Sequence, residues 1–167
     1  MSNNVTNIVV AGLGGQGVLK ASDILADAAF RAGFDVKKSE LHGMSQRGGS
    51  VWSDVRYGPE VFSPMIPAGE AEFLLALAAD QVEPHLDQLR PGGVLLRPDA
   101  VNTEQLANRK SLNVALLGVL STHLSLSEDC WMGALRANLP EALFDVNRQA
   151  FLFGREQARS AIKPGNA

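Results

Sequence analysis

The sequence predicts an α/β domain: a Rossmann-like opening, a mostly parallel central sheet flanked by helices, and a helical C-terminal third. Three observations carry that reading. A β-branched run, "NIVVAGLGG" at 7–15, ends in glycines and leads into helical periodicity, so a strand gives way to a tight turn and then a helix. The run "AEFLLALAA" at 71–79 is apolar throughout, the mark of a strand buried on both faces. From residue 112 onward the apolar spacing is helical.

Each element follows from its own pattern. Val18, Ala21, Leu25, Ala28, Ala29 and Ala32 recur near helical spacing, and Gly33 supplies the stop because glycine enters the left-handed region freely. "FDVKKSE" at 34–40 reads as a second strand, completing a β-α-β opening that favours parallel strands and a right-handed crossover. The pattern then breaks, because "LHGMSQRGGS" at 41–50 is a polar, Gly-rich loop where a second crossover helix would stand. "SVWSDVRYG" at 50–58 alternates strictly and predicts a strand with one face more exposed, antiparallel or at an edge. "PEVFSPMIPAG" at 59–69 carries three prolines and is not regular structure.

"LRPGGVLLRP" at 89–98 contains a turn and a further strand. "LNVALLGVLSTHL" at 112–124 is apolar nearly all round, so it is expected to be buried. Acidic residues open the helix at 126–139, and Ser125 with Glu128 has capping-box spacing. Residues 145–163 are amphipathic, and the final "PGNA" is expected to fray. With no repeat or low-complexity linker, residues 1–167 are expected to form a single domain with an ordered core over 7–160.

Composition narrows the function. A net charge of −3 lacks the basic footprint of a general nucleic-acid binder. No stretch approaches the roughly 18 uncharged apolar residues of a membrane span, and the N-terminus lacks the pattern of a secretory signal, so the expected location is the cytoplasm. Cys130 is the single cysteine. One thiol cannot hold an iron–sulfur cluster or a structural zinc, which need about four ligands, so any cluster must sit in another chain.

Gly12, Gly14 and Gly17 in "AGLGGQGV" spell the dinucleotide fingerprint, with Gly15 a further residue lacking a side chain and Gln16 placed to reach a ligand or a neighbouring chain. In that motif the first glycine permits the turn, the second lets the backbone approach a phosphate, and the third packs helix on strand. Glu40, 23 residues beyond Gly17, nearly meets the need for a ribose-binding acid. Against a dinucleotide site stand the missing second nucleotide-binding half and the second glycine-rich loop. The plainer alternative is that these glycines only permit close packing of helix on strand.

The second loop would bring Ser45, Gln46 and Arg47 beside the glycine turn at the carboxyl edge of the sheet, where ligands and partners dock. Arg47 offers a planar fork for carboxylate or phosphate, or it pairs with Asp54 or Glu40 in an ordinary solvated loop. His42, His85 and His123 form neither a triad nor a metal-ligand spacing; His42 and His85 read as solvated, and Cys130 as an inert thiol buried beside Trp131. Phe62, Met65 and Ile66 among prolines make a stiff apolar loop, a candidate interface or a cover for its own sheet.

"GLGGQGV", "HGMSQRGGSVWSDVRYG", "SPMIPAGEAEFLLAL" and "LRPGGVLL", with "LNVALLGVLSTHLSLSEDCW" and "VNRQAFLFGRE" in the C-terminal part, in order over about residues 7–160, resemble the gamma-type domain of 2-oxoacid:ferredoxin oxidoreductases. The nearest likeness is to the small beta subunit of the indolepyruvate enzyme and its aryl-2-oxoacid relatives. That resemblance implies a complex that oxidises a 2-oxoacid to acyl-CoA and CO2. It implies thiamine diphosphate with Mg and 4Fe-4S clusters on larger catalytic subunits, an electron-acceptor protein or subunit, and coenzyme A as co-substrate. For this chain it implies no catalytic residue, no metal and no resident cofactor. Gly12, Gly14, Gly15, Gln16, Gly17, Ser45, Gln46 and Arg47 then serve as cofactor-binding or subunit-interface residues, with Phe62, Met65 and Ile66 at an interface. An NAD(P)- or FAD-binding Rossmann oxidoreductase and a non-enzymatic regulatory subunit are the alternatives.

Overall fold

The computed structural model describes residues 4–43 and 48–161, and statements below concern those residues. They form β1 (Thr6–Leu13), α1 (Val18–Arg31), β2 (Asp35–His42), β3 (Ser50–Gly58), β4 (Ala71–Ala76) and β5 (Leu89–Leu96), followed by α2 (Leu112–Ser121), α3 (Glu128–Asn138) and α4 (Glu141–Ala161). The strands make one sheet in the order β2-β3-β1-β4-β5.

β1, β4 and β5 pair in parallel, whereas β3 runs antiparallel to both of its neighbours, β1 and β2. Four strands therefore share one direction and β3 alone opposes them. The short 43–49 connection explains this. A parallel return needs a crossover of about a dozen residues or more, and a tight link can only reverse the chain. β3 is antiparallel as its alternation predicts, but it lies inside the sheet between β2 and β1, not at an edge.

Its alternation misleads about exposure because the two faces are covered differently. On one face Ile8, Val10, Val55, Tyr57, Phe73, Leu75 and Leu96 join a single apolar cluster with residues of all four helices. On the other, Val9, Ala11, Ala71 and Leu74 form a smaller cluster with Trp52, Ile66, Leu89 and Leu95 against it. That face is covered by a strap, residues 59–70, which polar side chains tie down. Asp54 Oδ2 accepts from Ile66 N–H at 3.0 Å, and Arg56 donates to the carbonyls of Ser63 and Met65 at 2.9 and 3.1 Å. Arg56 Nε also donates to Asn7 Oδ1 at 2.8 Å, and Asn7 donates to Glu70 O at 3.2 Å. Asp54 is thus 3 % exposed although its position in the alternation suggests a solvated residue.

α2 is buried as its composition requires, and two glycines set how deeply. A Cβ at Gly118 would run into the carbonyl of Phe151, and one at Gly154 into the carbonyl of Ala115, so α2 and α4 touch backbone to backbone. Capping of α3 departs from expectation. Ser127, with extended ψ of 153°, accepts from Cys130 N–H at 3.2 Å, while Ser125 lies too far upstream of Glu128, the first helical residue. α4 begins at Glu141, four residues before the predicted start, directly after Pro140.

Candidate functional site

At the carboxyl edge, β1 ends at Leu13 and the chain turns through Gly14 to Gly17 into α1. Gln16 closes this turn itself: Leu13 N–H donates to Gln16 Oε1 at 2.8 Å, and Gln16 N–H to Leu13 O at 3.1 Å. Its amide oxygen is therefore occupied within the turn. Gly17 sits at φ 81°, ψ 30°, a left-handed geometry that favours glycine. Asn113 of α2 donates to the Gly17 carbonyl at 3.1 Å, and a Cβ on Gly17 would strike that amide.

The glycines take roles different from those of the fingerprint. Gly12, not Gly17, gives the close helix–strand packing, because a Cβ there would meet Val18 Cγ2 at 2.8 Å and Leu77 Cβ at 3.1 Å. Gly14 lies against the second loop: its N–H donates to Gly49 O at 3.0 Å and an added Cβ would be 3.5 Å from Gly48 N. That amide is consumed by the protein and unavailable to a phosphate. Gly15, at φ 90°, faces open space.

The two glycine loops therefore meet, as the strand directions predict. Ser45, Gln46 and Arg47 fall outside the described residues, whereas Gly43, Gly48 and Gly49 beside them are placed against Ser50 and Gly14. Two clefts open on either side of Gly15 and Gly17. One, of about 540 Å³, runs between the start of α1 and the start of β3, with His42, Leu13 and Leu19 on its walls. The other, of about 460 Å³, runs between the glycine turn and the start of α2, with Leu77, Arg109, Lys110 and Asn113.

The chemistry of this edge favours an anion. α1 has neither an acidic residue in its first turn nor a side-chain N-cap bond, so its positive end is left uncompensated, whereas at the start of α2 Leu112 N–H donates to Arg109 O and Val114 N–H to Asn113 Oδ1 at 2.9 Å. Arg109 and Lys110, both exposed, stand just before α2 and add two cations. Lys20 contributes none to the cleft that it lines, because its ammonium donates to Asn138 O at 2.9 Å. Sequence reasoning missed Arg109, Lys110 and Asn113. An "N-R-K" ahead of an apolar helix carries no sign that it folds beside a turn more than 90 residues earlier.

Other candidates are settled by position. Glu40 cannot serve a ribose at the β1 turn. It lies on β2, two strand spacings (about 10 Å) from β1, and it pairs with Lys38 at 2.6 Å. His85 is not solvated but 3 % exposed, its ring tilted at 57° against Trp52 with centroids 5.0 Å apart, and burial holds its pKa below the ordinary imidazole value against the pull of Asp87. His123 is exposed beside the Phe73 ring at 5.8 Å. Cys130 is only half-buried and accepts from Ser127 Oγ at 3.1 Å. Phe62 and Met65 are 78 % and 52 % exposed, while Ile66 is half-buried against the sheet.

Comparison with known proteins decides among the readings. Residues 7–103 match the family described as pyruvate ferredoxin/flavodoxin oxidoreductase. The indolepyruvate oxidoreductase subunit IorB of Thermococcus kodakarensis is 33% identical over 93% of this chain and 97% of its own length. The chain belongs to this family. A solved keto/oxoacid ferredoxin oxidoreductase gamma subunit from Geobacter sulfurreducens superposes with a TM-score of 0.77 at 28% identity, covering 93% of this chain and 99% of the other. The 2-oxoglutarate:ferredoxin oxidoreductase of Magnetococcus marinus, solved with 2-oxoglutarate, coenzyme A and succinyl-CoA bound, shares the fold. Its TM-score is 0.82 at 22% identity over 97% of this chain, which spans 32% of that one.

Within the family this chain is a small, gamma-type subunit of a 2-oxoacid:ferredoxin oxidoreductase. These findings support neither the dinucleotide-binding nor the regulatory alternative. Among the described residues no three His, Cys, Asp or Glu side chains come together to hold a metal, and no helix is long and apolar enough to cross a membrane.

Proposed function

We propose that this chain is the small subunit of an indolepyruvate or aryl-2-oxoacid oxidoreductase and that its glycine edge takes the phosphates of coenzyme A. The observation that carries the second statement is the meeting of the uncapped N-terminus of α1 with Arg109 and Lys110 around Gly15 and Gly17. In the overall reaction a 2-oxoacid and coenzyme A give acyl-CoA and CO2, and two electrons leave to an acceptor. Carbon–carbon cleavage is chemistry for thiamine diphosphate with Mg, and electron transfer for 4Fe-4S clusters. One cysteine cannot supply the ligands of a 4Fe-4S cluster, and on that ground, with the family resemblance, both groups are assigned here to a larger catalytic subunit.

The role left to this chain is binding and assembly as one gamma-type domain over 7–160, in the cytoplasm. The uncapped amides of α1 and the two cations hold the diphosphate, and the apolar walls of the clefts, Leu13, Leu19 and Leu77, leave room for the pantetheine arm. Gln16 fixes the turn. Phe62 and Met65, held outward by the clamped strap, meet the larger subunit.

Replacing both Arg109 and Lys110 by Ala in the purified complex is the test. The expected result is a KM for coenzyme A raised about tenfold or more, with the KM for the 2-oxoacid unchanged, since each charge-assisted contact contributes about 1.5–3 kcal/mol. An unchanged KM for coenzyme A would refute this placement.

A further inference from the structure

A half-buried network behind the cleft ends on one of its wall residues. In the β4–β5 connection, His85 Nδ1 lies 3.2 Å from Gln88 Nε2, and His85 Nε2 lies 3.4 Å from Ser50 Oγ. The Gln88 amide nitrogen only donates, so Nδ1 accepts and the imidazole proton resides on Nε2, directed at Ser50. Ser50 Oγ donates onward to Gln81 Oε1 at 2.6 Å.

Ser50 is the first residue of β3, and its main chain meets the other glycine segments. Its carbonyl accepts Gly43 N–H at 2.7 Å, and the preceding carbonyl, Gly49, accepts Gly14 N–H at 3.0 Å. One short stretch thus ties the end of β2 and the glycine turn together, and the β4–β5 connection holds that stretch by its serine.

We infer that His85 is a positioning residue for the glycine edge. Through Ser50 it fixes the start of β3 against the Gly12–Gly17 turn, and so sets the width of the cleft between β3 and α1. That this cleft serves coenzyme A rests on the function proposed above; the brace itself does not.

The test is hydrogen exchange on the purified complex, read at the Gly14 and Gly43 amides, alongside kinetics. His85→Phe keeps the ring against Trp52 but loses both hydrogen bonds, whereas His85→Gln can still donate to Ser50. Exchange at both amides is expected to rise about five- to tenfold in His85→Phe, the loss of one hydrogen bond of about 1 kcal/mol, and to return toward the parent rate in His85→Gln. The KM for coenzyme A is expected to rise by a similar factor at unchanged kcat. Ser50→Ala cuts the same link from the other side and replaces His85→Phe if that variant does not fold. Unchanged exchange at Gly14 and Gly43 would overturn the inference, whatever the kinetics. Faster exchange with an unchanged KM would uphold the brace and contradict the coenzyme A reading.

Discussion

On one face of the sheet, Ile8, Val10, Phe73 and Leu75 join one large apolar cluster with residues of four helices. On the other, Asp54, Arg56 and Asn7 reach up from β3 and β1 to fasten a proline-rich strap by its main-chain groups. The first arrangement depends on close packing, the second on a few directional contacts that fix a loop whose Phe62 remains 78 % exposed. The contrast separates what makes the domain fold from what the domain presents to a partner.

The largest expected effect is on the helical face. Gly154→Val drives a side chain into the Ala115 carbonyl, and two helix backbones cannot part without opening the core. A loss of at least about 3 kcal/mol is expected in urea denaturation, together with loss of soluble protein. A variant of normal stability would show that α2 and α4 are not in backbone contact.

Arg56→Ala comes next and acts on the other face. It removes three hydrogen bonds, to Asn7, Ser63 and Met65, and is expected to cost about 1–3 kcal/mol. Limited proteolysis is expected to cut within 59–70 while circular dichroism of the rest stays unchanged. Cleavage spread across the whole chain would mean that the strap is part of the core and not a separate cover.

The smallest effect on stability is expected from Phe62→Ser, within about 0.5 kcal/mol, because the ring is exposed. Its effect belongs to assembly: co-purification with the larger subunit is expected to fall sharply. Full retention would place the subunit interface elsewhere.

The helical face was legible because its signals are local. Periodicity marked α1 and α2, the apolar run marked β4, and Gly33 marked the end of the first helix. The strap face was not, since Asp54 and Arg56 look solvated until a segment some ten residues later is known to lie across them. His85 was misread for the same reason: its burial comes from Trp52 and Ser50, more than 30 residues earlier. At the candidate site the glycine turn was visible but the roles of its members were not. Which glycine needs to be bare depends on Val18, Leu77 and Asn113, and only the fold brings those together.

The most direct measurement of the central claim is hydrogen exchange on the purified complex with and without coenzyme A, read over residues 12–20 and 108–114. Binding across the glycine edge predicts slowed exchange in both segments, strongest at the first-turn amides of α1. Protection confined to the larger subunit, or to other parts of this chain, would contradict it.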